Sequence, residues 1–105
     1  IYNVTVNVDD SIHENWIKWI KEHIPQVLAT GKFVEARFTK VLVKEDMGGT
    51  TYSIQYKAKS KEDLENYYLQ DANRLRLEGE NLFGDKMLAF RTELELIDEF
   101  SVSFN

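Results

Sequence analysis

Residues Asn15–Phe33 read NWIKWIKEHIPQVLATGKF, and their spacing predicts an amphipathic helix. Together with Ile12, the apolar residues Trp16, Ile20, Ile24 and Val27 recur at intervals of three and four, with Ile17 and Trp19 flanking them. Such intervals gather side chains on one stripe of a helix. Glu14, Lys18, Lys21 and Glu22 fall on the opposite, solvated side. Ser11 followed by Glu14 has the form of a capping box, and Asp10 adds negative charge at the positive helix end. Pro25 lacks an amide donor and crowds the preceding turn, which predicts a bend near His23–Ile24 and a short second piece, Pro25–Thr30. Gly31 then suits the left-handed residue that ends many helices.

On either side of this helix the pattern changes to period two. Tyr2, Val4, Val6 and Val8 alternate with Asn3, Thr5 and Asn7, the mark of a half-buried strand. Lys32–Lys44 is a second, longer strand by composition, with a change of character near Thr39 that suggests a bulge. Glu45–Gly49 is a turn in which Gly48 and Gly49 are free to take positive φ. Thr50–Lys59 alternates Tyr52, Ile54, Tyr56 and Ala58 with Thr51, Ser53, Gln55 and Lys57. Ser60 and Asp63 repeat the capping logic. They open a second helix whose stripe runs through Leu64, Tyr67 or Tyr68, Ala72 and Leu75 and past Gly79 to Gly84. Lys86–Ile97 is the last strand, with Leu88, Phe90, Leu94 and Leu96 on one side and Ala89, Arg91, Glu93 and Glu95 on the other. Phe100, Val102 and Phe104 alternate in the tail, which suits an extra edge strand or a contact with a partner.

The order β-α-β-β-α-β predicts an α+β, ferredoxin-like domain over residues 1–97 with a tail at 98–105. Right-handed crossovers place both helices on one face of a four-stranded antiparallel sheet. The other face is expected to carry Asn3, Thr5, Asn7, Arg37, Ser53, Gln55, Lys57, Arg91 and Glu93.

The chain has 105 residues and a net charge of −5, so one domain with one core is the natural count. The acidic balance, with Asn, Thr, Ser, Gln and Lys where RNA-recognition domains of this topology carry aromatics, argues against nucleic acid. It has no cysteine, which removes disulfides, thiolate nucleophiles and thiolate metal sites. Met87–Phe90 is the longest purely apolar run, far short of a membrane span. No signal peptide is recognisable, and cytoplasmic residence is the expectation.

Four segments carry a family resemblance: YNVTVNVDDSIHENW at Tyr2–Trp16, HIPQVLATGKF at His23–Phe33, MGGTTYSIQY at Met47–Tyr56 and FGDKMLAFRTELE at Phe83–Glu95. Together they resemble a small bacterial domain-of-unknown-function family grouped with the dimeric α/β-barrel superfamily. The resemblance implies a homodimer. That superfamily includes cofactor-independent monooxygenases, haem-degrading enzymes, relatives of chlorite dismutase and muconolactone isomerases. Its haem-degrading members place an Asn on the first strand and a haem-ligating His on the second long helix. Asn3 and Asn7 fit the first feature loosely, but Leu64–Phe83 contains no histidine, which argues against haem. No cofactor is expected.

The candidate site residues divide by chemistry. His23, beside Pro25 and below Trp16 and Trp19, suits a general base lining a pocket at the helix–sheet edge. A histidine bonding a helix carbonyl freed by the proline accounts for it as well. His13 is expected in solvent, and ten residues of helix separate the two imidazoles by ~15 Å, so they cannot share a metal. Tyr52, Tyr56, Tyr67 and Tyr68 suit a phenol-lined cavity between the third strand and the second helix, or ordinary amphipathic packing; Trp16, with Trp19, suits the core, or a ligand-stacking contact. Gly48-Gly49-Thr50-Thr51 lies between strands with no helix start behind it, so a hairpin accounts for it better than a phosphate loop. Arg37 and Arg91, with Asn3, Asn7 and Gln55, are the expected anchors for a small polar or carboxylate-bearing ligand in a chamber closed by dimerisation, because a guanidinium pairs with a carboxylate through two parallel bonds. A structural ion-pair network of Arg37, Arg91, Glu35, Glu93 and Lys57 at the dimer interface accounts for these charges as well. Binding or sensing such a molecule is the leading expectation. An oxygenase or isomerase working through His23 on a small aromatic or lactone-like substrate, and a structural interaction domain using the tail, are the alternatives.

Overall fold

The computed structural model describes residues 1–43 and 48–103. Four strands, β1 (Tyr2–Val8), β2 (Phe33–Lys40), β3 (Thr50–Ala58) and β4 (Met87–Glu93), form one sheet in the order β2-β3-β1-β4. All neighbouring pairs are antiparallel. Three helices, α1 (His13–Leu28), α2 (Lys61–Gln70) and α3 (Ala72–Phe83), connect them. The fold is therefore α+β with a four-stranded antiparallel sheet, as the alternation and capping patterns indicate.

The strand faces follow from the register. Val4 lies opposite Ile54 and Val6 opposite Tyr52, so the valines of β1 and the Tyr/Ile side of β3 share the helix-covered face. The α1 stripe settles on them: Trp16, Val8, Ile54, Val27 and Leu75 are the largest fully buried side chains. Trp16 stacks on Tyr52 at 5.1 Å and meets Phe38 edge-on. Asn3 faces Gln55 and Thr5 faces Ser53 on the uncovered side.

Several local expectations are corrected. α1 runs as one helix through Pro25, without a restart. Pro25 lies in the last two turns, where its carbonyl still accepts from the Ala29 amide at 2.8 Å, so the missing donor costs one bond rather than a break. The Ser11–Glu14 capping box does not form: Asp9 instead accepts from the Ser11 amide at 2.9 Å and starts a single 3₁₀ turn, Asp10–Ile12. β2 ends at Lys40, and its irregularity lies between Phe33 and Glu35 rather than at Thr39. Gly48 and Gly49 take positive φ, while residues 44–47 of the expected strand end and turn lie outside the described residues. Ser60 caps α2 as expected, accepting from the Asp63 amide at 3.0 Å. The second helix is interrupted at Asp71, where ψ stays helical but φ opens to −126°. Residues 98–103 form no strand, and Phe104 lies outside the described residues.

The largest correction concerns β4. Ala89 pairs with Val6, Arg91 with Val4 and Glu93 with Tyr2, which puts Arg91 and Glu93 on the helix side and Leu88 and Phe90 on the open side. The register with β1 carries the reversal: Met87 falls opposite Val8 and its Sδ accepts the Trp16 indole N–H at 3.2 Å, so Met87, Ala89 and Arg91 share the valine face and their neighbours Leu88 and Phe90 take the other.

Candidate functional site

Between α1, α3 and the sheet lies a cavity of about 50 Å³. It is lined by residues from every strand but β2 and from all three helices, among them Tyr2, Trp19, His23, Tyr67, Arg76 and Arg91. α1 contributes His23 because Trp16, Ile20 and Val27 hold its stripe against the sheet, and the half-buried His23 ring follows on the adjoining face. The ring stacks on Trp19 with centroids 4.4 Å apart. Trp19 is itself fixed by Phe83, edge-on at 5.6 Å, and by its N–H donating to Glu78 Oε1 at 3.2 Å. Arg76 projects from α3, one residue beyond the buried Leu75, and its Nη2 donates to the Tyr2 hydroxyl at 2.8 Å. Its Cζ lies 5.9 Å from the centre of the Tyr68 ring. Arg91 is the exposed member of the lining and marks the mouth.

Two polar atoms here are buried without a hydrogen-bond partner among the described residues: His23 Nδ1 and Arg76 Nε. Burial holds the His23 pKa below its ordinary value; Glu78 opposes this and Arg91 adds to it. The imidazole is thus neutral at pH 7. Burial also raises the phenols. Tyr67 is pushed up to about 12, with Tyr2 adding to the burial effect, and Tyr56 and Tyr68 rise further. For Tyr68 the bond its hydroxyl donates to Glu93 Oε1, 2.9 Å long, adds to the burial effect. All three stay protonated, as donors.

The structure separates the residues that the sequence groups as one chamber. Arg91 joins His23, Trp16 and Tyr56 on the helix side. Arg37, Asn3, Asn7 and Gln55 lie on the open face. Arg37 stands opposite Gln55 and Glu35 opposite Lys57. Asn3 accepts from the Ser53 hydroxyl at 2.7 Å, and Asn7 donates to Thr51 Oγ1 at 3.2 Å, so both amides serve the sheet itself. With the tail residues Glu99 and Phe100, Arg37, Gln55 and Lys57 border a shallow depression of about 440 Å³. Lys57 and Glu99 form its one ion pair among the described residues, at 3.7 Å and well exposed.

Tyr52 belongs to neither group. It is buried, and its hydroxyl lies 2.5 Å from Nε2 of His13, which stacks on the same ring. His13 is therefore not in solvent as expected. Its position three residues before Trp16, on the same stripe, was the signal. Of the four tyrosines expected to line a cavity, Tyr56 and Tyr67 do so, while Arg76 and Tyr2 were missed as site residues. For Arg76 the signal is a cation adjoining the buried positions Ala72, Leu75 and Gly79 of α3.

Among the described residues no cluster of His, Asp and Glu has the makings of a metal site, and no helix is long and apolar enough to cross a membrane.

A family model described as "Domain of unknown function (DUF4286)" matches residues 1–97. Among solved structures, the crystal structure of At3g17210 from Arabidopsis thaliana is similar with a TM-score of 0.59 and 15% sequence identity, over 93% of this chain and 98% of that chain. At that identity the likeness is one of fold alone. No curated protein matches the chain.

Proposed function

This chain belongs to the DUF4286 family, and from that premise we propose that it is a small-molecule-binding domain whose site is the cavity between α1, α3 and the sheet. One observation carries the reading: His23 Nδ1 and Arg76 Nε are buried at this cavity with nothing to bond. A buried polar group left unpaired costs about 1–3 kcal/mol, more when charged. A polar ligand that supplies the missing partners recovers that loss, and the aromatic walls would hold its apolar part.

The finer architecture belongs to the same proposal. Counted from the β4 edge the strands run 4-1-3-2, the arrangement of a ferredoxin-like split βαβ domain. The open sheet face is where two copies meet. The exposure of Phe90 and Leu88 there supports that reading, since both side chains point away from the domain's own core.

A second reading has its own observation. A neutral imidazole that lines a cavity and keeps one ring nitrogen unpaired among the described residues suits a general base, so His23 also suits an oxygenase or isomerase that needs no cofactor. Native mass spectrometry of the freshly purified full chain tests the first reading. A dimer with a reproducible extra mass, lost in His23→Ala and Arg76→Met together, is the expected result. A bare protein whose indole NMR signals ignore every added small molecule would sink it.

A further inference from the structure

The charged groups that line the helix-side cavity have one sign. Among the described residues its lining holds two guanidinium groups, Arg76 and Arg91, and no carboxylate. The nearby acids are engaged elsewhere: Glu78 accepts from Trp19, and Glu93 accepts from Tyr68. Arg76 has no ion-pair partner among the described residues, and its one bond goes to a phenol. A half-buried cation without a counter-charge is unfavourable, and the natural complement is an anion. The Arg91 charge is felt at both His23 and Tyr67, so it serves the same space from the mouth.

The rest of the lining narrows the class of anion. Val4, Val6, Ile20, Val27 and Ile54 offer nothing to an oxygen atom. A phosphate or sulfate, with oxygens on every side, would press some of them against this wall unpaired. A carboxylate has two oxygens on one end and an apolar stem on the other. The volume, about 50 Å³, has room for roughly four water-sized groups. That suits a carboxylate on a very short stem, or the head of a longer acid that leaves past Arg91.

We propose that the cavity takes a small monocarboxylate, its two oxygens received by Arg76 Nε and His23 Nδ1 and its charge balanced by Arg91, with the apolar stem against Val27 and Ile54. The inference rests on the reading of this cavity as the ligand site and adds the class of ligand. Its chemistry requires His23 to carry its proton on Nδ1, a tautomer open to the neutral ring.

The test compares propionate with propionamide, of the same shape and uncharged. Binding to the full chain is followed by NMR at the Trp19 indole and the His23 ring. Propionate is expected to bind at least tenfold more tightly than propionamide. Arg91→Met, a change at an exposed side chain, is expected to weaken propionate about tenfold while propionamide, which carries no charge for Arg91 to balance, loses less than twofold. His23→Asn and Arg76→Met are expected to weaken propionate as well, with circular dichroism confirming that each variant is folded. Equal binding of acid and amide would overturn the carboxylate assignment while keeping the cavity as a ligand site, and so would tighter binding of inorganic phosphate at the same signals. Silence of both indole and imidazole signals toward acid and amide alike, in a protein that copurifies with no added mass, would remove the site together with its ligand.

Discussion

Gly79 shows how closely a single residue is tied to the site. It is buried in α3, and a Cβ there would lie 2.8 Å from the Trp19 ring and 3.1 Å from the Met87 methyl. In an ordinary helix interior, Gly→Ala gains about 1 kcal/mol. Here Met87 can give way, but Trp19 is pinned by His23 and Phe83. Overpacking of this kind costs ~1–3 kcal/mol. Gly79→Ala is therefore expected to lower stability by about 1 kcal/mol instead of raising it, and to shift the His23 ring resonances. Chemical denaturation and NMR check the two halves separately. His23 itself sets a pH dependence. Its folded pKa lies below the unfolded one because the ring is buried, Arg91 adding to the effect and Glu78 opposing it. The unfolded chain thus takes up the proton first, and the stability contributed by neutral His23 is complete above the unfolded pKa of ~6.5 and lost as pH falls through the folded value. The melting temperature should fall on acidification below pH ~6.5, and His23→Asn should flatten that part of the curve. An identical slope in the variant would assign the effect to other groups.

At the scale of elements, the break between α2 and α3 is the feature with a measurable consequence. Asp71 sits at the interruption and accepts from Lys32 Nζ at 3.0 Å and Arg74 Nη2 at 3.3 Å. Lys32 lies in the turn before β2, so this carboxylate ties the end of the first crossover to the middle of the second. Both members of the Lys32–Asp71 pair are largely shielded, with side chains 16% and 14% exposed, unlike the open Lys57–Glu99 pair. Bonds between charged groups so shielded contribute about 1.5–3 kcal/mol. Asp71→Ala is expected to cost about 2 kcal/mol in urea denaturation, and Asp71→Asn less, since the amide oxygen still accepts one bond. A loss below ~0.5 kcal/mol would mark the pair as an ordinary surface one. The elements were largely legible beforehand, because period-two alternation in Tyr2–Val8 and the Ser60–Asp63 cap are local signals. The interruption at Asp71 was not, since no glycine or proline marks it in the sequence and its Lys32 partner lies across the fold. Nor was the face of β4: Leu88 and Phe90 read as the buried side by hydropathy, and only the register against β1, which sets Met87 opposite Val8 and against Trp16, reverses them. That reversal divided the expected chamber, carrying Arg91 to His23 and leaving Arg37 behind.

For the whole molecule, the same reversal gives the open face its character. Phe90 is 68% exposed and Leu88 46%, on the strand at one edge, while Arg37, Gln55 and Lys57 occupy the strands toward the other. The tail leaves β4 through paired bonds between Ile1 and Leu94, each 2.7 Å, and carries Phe100 along this side, 90% exposed. A face with apolar side chains at one edge and both charge signs at the other is what a self-complementary two-fold contact needs. Covering one phenylalanine removes enough apolar surface to contribute ~1.5–3 kcal/mol, and a two-fold interface counts each contact twice. Phe90→Glu would place a charge into that contact in both copies while leaving the monomer core untouched. In analytical ultracentrifugation the native chain is expected to sediment as the proposed dimer and the variant, at the same concentration, as a monomer. Its far-UV spectrum should not change, and its ligand-free cavity should stay intact, because every residue lining that cavity comes from the helix side. A native chain that sediments as a monomer would refute the two-copy arrangement and leave the helix-side cavity standing by itself. Loss of the dimer together with loss of propionate binding in Phe90→Glu would instead tie the two faces of the sheet into one functional unit.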